Sequence, residues 1–340
     1  MNLLRAEWRR FFARRFTQTL LLVVLVLLAL VGAGVAAGTH RASPAAVAQA
    51  EQEAAQVRQH LRTERQACED AQSGRTAPDA PANDRYTHFP PGVTCADAFD
   101  PSQVTTKQYL PHSFSFAEET ASLVEVFAAL LGLFGFAAGA SFVGAEFATG
   151  GMTTLLLWRP RRVRVLLTKL AALLLGVTAS GVVVGAAWLG ALWEIAATRG
   201  RTDGVTPGVL RSLGLVEARA FAFALAAAAI GFAVATLGRN TVTALAIGIG
   251  YIVVVELGGR MVFDVTNTPK PERWFLSSYA LAWLEKSRQF FDVSACRYAS
   301  GACSPTRWSI TMGPAAAIGA VLLVVTVGGA LVAFRRRDVA

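Results

Sequence analysis

The chain has 340 residues, 54% hydrophobic and 16% charged, with a mean hydropathy of +0.44, a mixture that excludes an ordinary soluble globular domain. Its net charge of +9 would suit a polyanion. The cations, however, cluster beside long apolar runs, which ties them to membrane topology and excludes nucleic-acid binding as their purpose.

A helix crosses the hydrocarbon core with about 20 apolar residues, and six runs of that kind can be counted. None alternates in the manner of a membrane β-barrel strand. The expected fold is therefore all-α, a polytopic bundle of six transmembrane helices.

Residues 1–16 read as an amphipathic helix on the inner membrane surface, with Leu4, Trp8, Phe11, Phe12 and Phe16 on one stripe and arginines around it. Span one is expected at 17–38. Its apolar core is longer than the roughly 7–15 residues of a cleavable signal, so it reads as an uncleaved anchor. The loop 39–120 carries 11 acids against 7 cations. It divides into an Ala, Gln and Glu-rich helix and an irregular Pro- and Gly-containing part, a small cap over the spans.

Span two is expected at 121–144, a cytoplasmic link with a coupling helix at 145–164, and span three at 165–192. A second outer loop follows at 193–217, with spans four and five at 218–238 and 241–258. The loop 259–311 contains "RWFLSSYALAWL", too short to cross, which reads as a re-entrant or interfacial helix with Trp274, Tyr279 and Trp283 at headgroup level. Span six is expected at 312–334 and a basic tail at 335–340. By the positive-inside rule the arginine-rich N-terminus, link and tail lie in the cytoplasm.

All four cysteines then fall outside, where an even count suits disulfides: Cys68 with Cys95, and Cys296 with Cys303. The four histidines have no recognised metal-ligand spacing, and no metal site is expected. Glu125, Glu194 and Glu256 stand near the outer ends of spans, where they either meet the interface or line an exit path. Gly132, Gly135 and Gly139 in span two, with Gly248 and Gly250 in span five, would permit close helix packing within the chain or across a dimer.

The link is the most distinctive stretch. Phe147, Gly151, Leu155 and Trp158 fall on one helical face, and Pro160 precedes Arg161 and Arg162. Glu146 opposes the positive-inside trend and calls for a cationic partner. Gly150 and Gly151 each cost about 1 kcal/mol in a helix interior, so a kink or a close approach is expected there.

Glu146, Gly150, the Pro160 to Arg162 element and the downstream Lys169 together resemble the cytoplasmic link of ABC-2 type transporter permeases, with Gly151 where that family often has Thr. The resemblance covers most of the chain. It implies that Glu146, Phe147, Gly150, Gly151, Leu155, Trp158, Pro160, Arg161 and Arg162 form a coupling surface for an ABC ATPase subunit dimer. It also implies a second permease chain, identical or different, and an export path between the two.

No GxxxxGK[ST] phosphate loop occurs, so ATP and Mg would be bound by the partner and no cofactor by this chain. No nucleophile motif suggests an enzyme. The abundance of Arg over Lys and the Ala content suggest a bacterial plasma membrane. A membrane-anchored sensor or assembly protein and an ion-driven secondary transporter remain as alternatives.

Overall fold

The computed structural model of the chain describes residues 3–41, 43–73, 94–152, 154, 162–292, 294 and 305–336. Six of its helices are long and apolar enough to cross a membrane. Span one is Arg15–Gly38, span two Phe116–Ala148, span three Arg162–Thr198, span four Pro207–Gly238, span five Thr241–Val265 and span six Met312–Arg336. The protein is a helical, multi-pass membrane protein.

The N-terminal helix, Leu3–Ala13, stops at Arg14, whose extended backbone (φ −74°, ψ 124°) starts span one in a new direction. The expected apolar stripe divides. Phe11 is fully buried over Gly176 of span three, where a Cβ would lie 2.5 Å from its ring, whereas Leu4, Trp8, Phe12 and Phe16 stay exposed. Glu7 shares the inward face with Phe11 because residues four apart lie one above the other. The helix is thus seated on span three by one side, and its other apolar side suits lipid.

Span two is the most thoroughly covered of the six, and its main neighbour is span four. The glycines explain the approach. A Cβ on Gly135 would sit 2.6 Å from the Ala224 carbonyl oxygen, and one on Gly139 would sit 2.2 Å from that of Ala228. Gly231 returns the contact, 2.2 Å from the Phe136 carbonyl oxygen, and Gly132 receives the Phe223 ring. Small residues spaced four apart let the backbones touch, so these glycines serve packing within one chain. Gly248 packs on Phe136, whereas Gly250 has open space around it.

Several boundaries differ from expectation. Spans three and four extend into the expected 193–217 loop, leaving residues 199–206 between them, because Thr206 accepts from the Val209 amide and Pro207 opens the helix. Span five passes its expected end at 258 through π-helical turns, Tyr251–Gly258, and continues to Val265. The Gly258 and Gly259 pair keeps helical dihedrals, and Arg260 is held over the Phe275 ring, so the helix does not stop there.

The cap helix, Pro44–Gln72, starts on a Ser43 cap and buries Ala50 and Ala54. Cys68 is bonded to Cys95, which opens the short helix Cys95–Ala98. Residues 74–93 lie outside the described residues, as do Cys296 and Cys303.

Between spans five and six the expected short helix is Leu276–Glu285. A hairpin follows it, an addition to the all-α expectation. Strands β1, Ser287–Asp292, and β2, Thr306–Thr311, pair antiparallel, with Phe290 stacked on its cross-strand partner Trp308 at 5.1 Å. Trp274 is exposed, as an interfacial ring would be, but Trp283 donates from its indole to the Arg219 carbonyl and is anchored to span four.

Candidate functional site

Span two does not end before Glu146. It runs on to Ala148, so Glu146 and Phe147 occupy its last turn and do not belong to a separate link helix. Gly150 then adopts φ +70°, a left-handed conformation that closes the helix, and Gly151 and Met152 begin a new helical turn. Phe147 and Gly151 therefore do not share one helix face, and Gly150 lies outside any helix interior. A Cβ on Gly151 would meet nothing nearer than 3.6 Å, so no close backbone approach explains that residue.

The Glu146 carboxylate is buried and surrounded by cations from three elements. Lys169, a turn or two into span three, is fully buried and donates to Glu146 at 2.8 Å and to Glu7 at 2.7 Å. Arg14 donates to Glu146 at 3.1 Å and to the Ser141 carbonyl at 3.0 Å, and Arg10 lies 3.2 Å from the same Glu146 oxygen. Phe142 floors the cluster, with the Arg14 guanidinium 4.9 Å and the Lys169 ammonium 5.8 Å from its ring centre. Burial holds the Arg14 pKa below the ordinary arginine value, and the Glu146 charge offsets only part of that lowering.

Such a cluster holds together because each charge has an opposite neighbour. Removing one partner of a buried pair costs about 3–5 kcal/mol, since the other charge is left stranded. The chemistry is that of a fastener. It joins the N-terminal helix, the last turn of span two and the first turns of span three, and Phe147 extends the contact to span six through Phe334, ring centres 6.2 Å apart.

Arg162 opens span three, whereas Leu155, Trp158, Pro160 and Arg161 lie outside the described residues. Met152, 1% exposed, is the buried anchor of the new turn that sequence reading passed over. Glu7 was also passed over. Its signal was present, a single acid on a helix whose other charges are all arginines, four residues before the buried Phe11.

The three carboxylates expected to line an exit path are not brought together. Glu194 is exposed on span three. Glu256 accepts from the Tyr251 hydroxyl at 3.0 Å and from the Ser277 amide at 2.9 Å and hydroxyl at 2.6 Å, so it ties span five to the start of the Leu276–Glu285 helix. Glu125 meets the far end of that same helix, beside Glu285 and Arg288. Among the described residues no His, Cys, Asp and Glu grouping could hold a metal.

The family model described as ABC-2 family transporter protein matches residues 1–339. No curated protein and no solved structure gives a significant match. With six membrane-crossing helices and a family match over nearly its whole length, this chain belongs to the ABC-2 transporter family as a multi-pass membrane permease.

Proposed function

We propose that this permease exports its substrate using motion supplied by a separate ABC ATPase dimer, received at the turn from Glu146 to Gly151. The observation that carries the reading is the buried Lys169 cluster, which fastens the end of span two, the start of span three and the N-terminal helix to one another. A push on the turn would then move these elements as one body, a rigid-body change between inward and outward openings.

On this reading the N-terminus, the turn and the tail are cytoplasmic, in keeping with their arginines. The cap and the hairpin lie outside, in a bacterial plasma membrane, and two permease chains enclose the path. ATP and Mg belong to the partner, and this chain performs no covalent chemistry.

Purification from the native membrane in mild detergent tests the proposal. Wild type is expected to retain a Walker-motif ATPase at stoichiometric level, and Glu146→Ala to lose most of it. A monodisperse wild type that carries no ATPase would sink the proposal.

A further inference from the structure

A cavity of about 870 Å³ opens where the N-terminal helix, the start of span three and the end of span six meet. Its walls are apolar and its rim is cationic. Arg164, Leu167, Thr168 and Ala171 all line it, and they fall at i, i+3, i+4 and i+7, one face of span three read from charge to hydrocarbon. Leu4 closes one side from the N-terminal helix, and Arg335 reaches the rim from span six.

We propose that this cavity is a binding site for one anionic phospholipid, its phosphate between Arg164 and Arg335 and the first part of an acyl chain along Leu167 and Ala171. The inference does not depend on the ATPase reading. Arg164 and Arg335 lie 171 residues apart in sequence, yet they come to one rim, and neither guanidinium is held in an ion pair among the described residues.

In the Lys169 cluster, by contrast, the cations are matched by Glu7 and Glu146. A rim with two uncompensated guanidiniums suits a phosphate, which arginine binds through paired N–H donors. The apolar wall suits a chain already dissolved in the bilayer. Its descent over seven residues, about 10 Å, matches the passage from headgroup to upper acyl chain. Basic pockets between membrane helices select anionic headgroups in this way. A water-soluble anion would use the rim and leave the wall bare, and a zwitterionic lipid would not answer the surplus charge.

Native mass spectrometry of the full-length permease in detergent, titrated with phosphatidylglycerol and separately with phosphatidylcholine, tests the site. Wild type is expected to retain one phosphatidylglycerol preferentially. Arg164→Gln or Arg335→Gln should each weaken retention about five-fold, and the pair about 25-fold. Leu167→Trp, at an exposed position and with every charge kept, should also lower it by filling the wall. The proposal is overturned by equal retention of the two lipids, by unchanged retention in the double arginine variant or in Leu167→Trp, or by displacement with glycerol 3-phosphate at matching concentration. That last result would mark an open anion patch.

Discussion

Lys169 donates to Glu7 at 2.7 Å, fully buried, across 162 residues of chain. That bond and the one from Lys169 to Glu146 place a helix that could have floated on the membrane surface in fixed register with two spans. Its energetic consequence is direct. Lys169→Met should cost about 3–5 kcal/mol, because two buried carboxylates then face each other with their shared cation gone. Glu7→Gln should cost less, and the double variant less than the sum of the two, with a coupling of about 0.5–3 kcal/mol. Thermal unfolding in detergent with all four proteins checks this. Simple additivity would mean that the pair is not coupled.

The close contact of spans two and four predicts a contrast between two glycines. Gly139→Ala places a Cβ 2.2 Å from the Ala228 carbonyl oxygen and must push the helices apart, whereas Gly250→Ala meets open space. The first should lower the melting temperature. The second should leave it unchanged or raise stability by up to about 1 kcal/mol, through helix propensity alone. The same thermal assay in detergent reads both.

Gly150 and its neighbour should also behave differently. Gly150→Ala forces a side chain into φ +70° at a cost of about 1–2 kcal/mol, whereas Gly151→Ala introduces no close contact. If the turn receives the ATPase, Gly150→Ala should reduce transport in reconstituted vesicles far more than Gly151→Ala does. Equal loss in both variants would speak against a role for this backbone geometry.

In the cap, the Cys68 to Cys95 bond spans a sequence separation of 27 residues, and a loop of that size corresponds to about 3–4 kcal/mol of chain entropy. Cys68→Ser with Cys95→Ser should therefore loosen the cap while the spans stay folded. Limited proteolysis is expected to cut the 39–120 region first in that variant. Loss of the whole protein would mean that the cap supports the bundle.

The cap should also respond to acid. Hydrogen bonds from Thr94 hold Asp97 below its ordinary pKa of 3.8, and bonds from Ser102 and Gln103 do the same for Asp100. A depressed folded pKa means stability that is complete above the unfolded value and is lost as pH falls through the folded one. Hydrogen exchange at residues 94–103 should thus be insensitive between pH 5 and 8, after correction for the intrinsic rate, and should accelerate below about pH 4. Asp97→Asn should reduce that acid response.

Much of this architecture was legible because membrane insertion reads one simple quantity, apolar length. The six runs and the Ser43 and Pro44 start of the cap helix carry their signals locally. Glu146 announced that it needed a cation, since an acid amid arginines is conspicuous. That its partners include Lys169 and two arginines before span one was not legible, because tertiary packing alone brings them together.

The hairpin escaped for a different reason. Its strands are six residues each and mix charge with aromatics, and the contacts that hold them, the stacked Phe290 and Trp308 couple and the packing of Ile310 on Ala282 and Ala315, are made only in the folded chain. Span five passes its expected end because Gly258 and Gly259 keep helical dihedrals and Arg260 is held by Glu256 and Ser277. The Glu146 turn departs from the single helix face expected through Phe147 and Gly151 because Gly150, at φ +70°, ends span two between them.

The Glu7 to Lys169 bond also imposes an order on synthesis. The helix that carries Glu7 emerges from the ribosome before span three, and the cation that buries Glu7 is made 162 residues later, after the cap and span two. Until span three arrives, Glu7 has to remain hydrated at the bilayer surface and Phe11 lacks the Gly176 groove that receives it. Docking of the first helix is therefore a late event in assembly, and a nascent chain arrested before residue 169 would still have its N-terminus open to a protease or a chaperone.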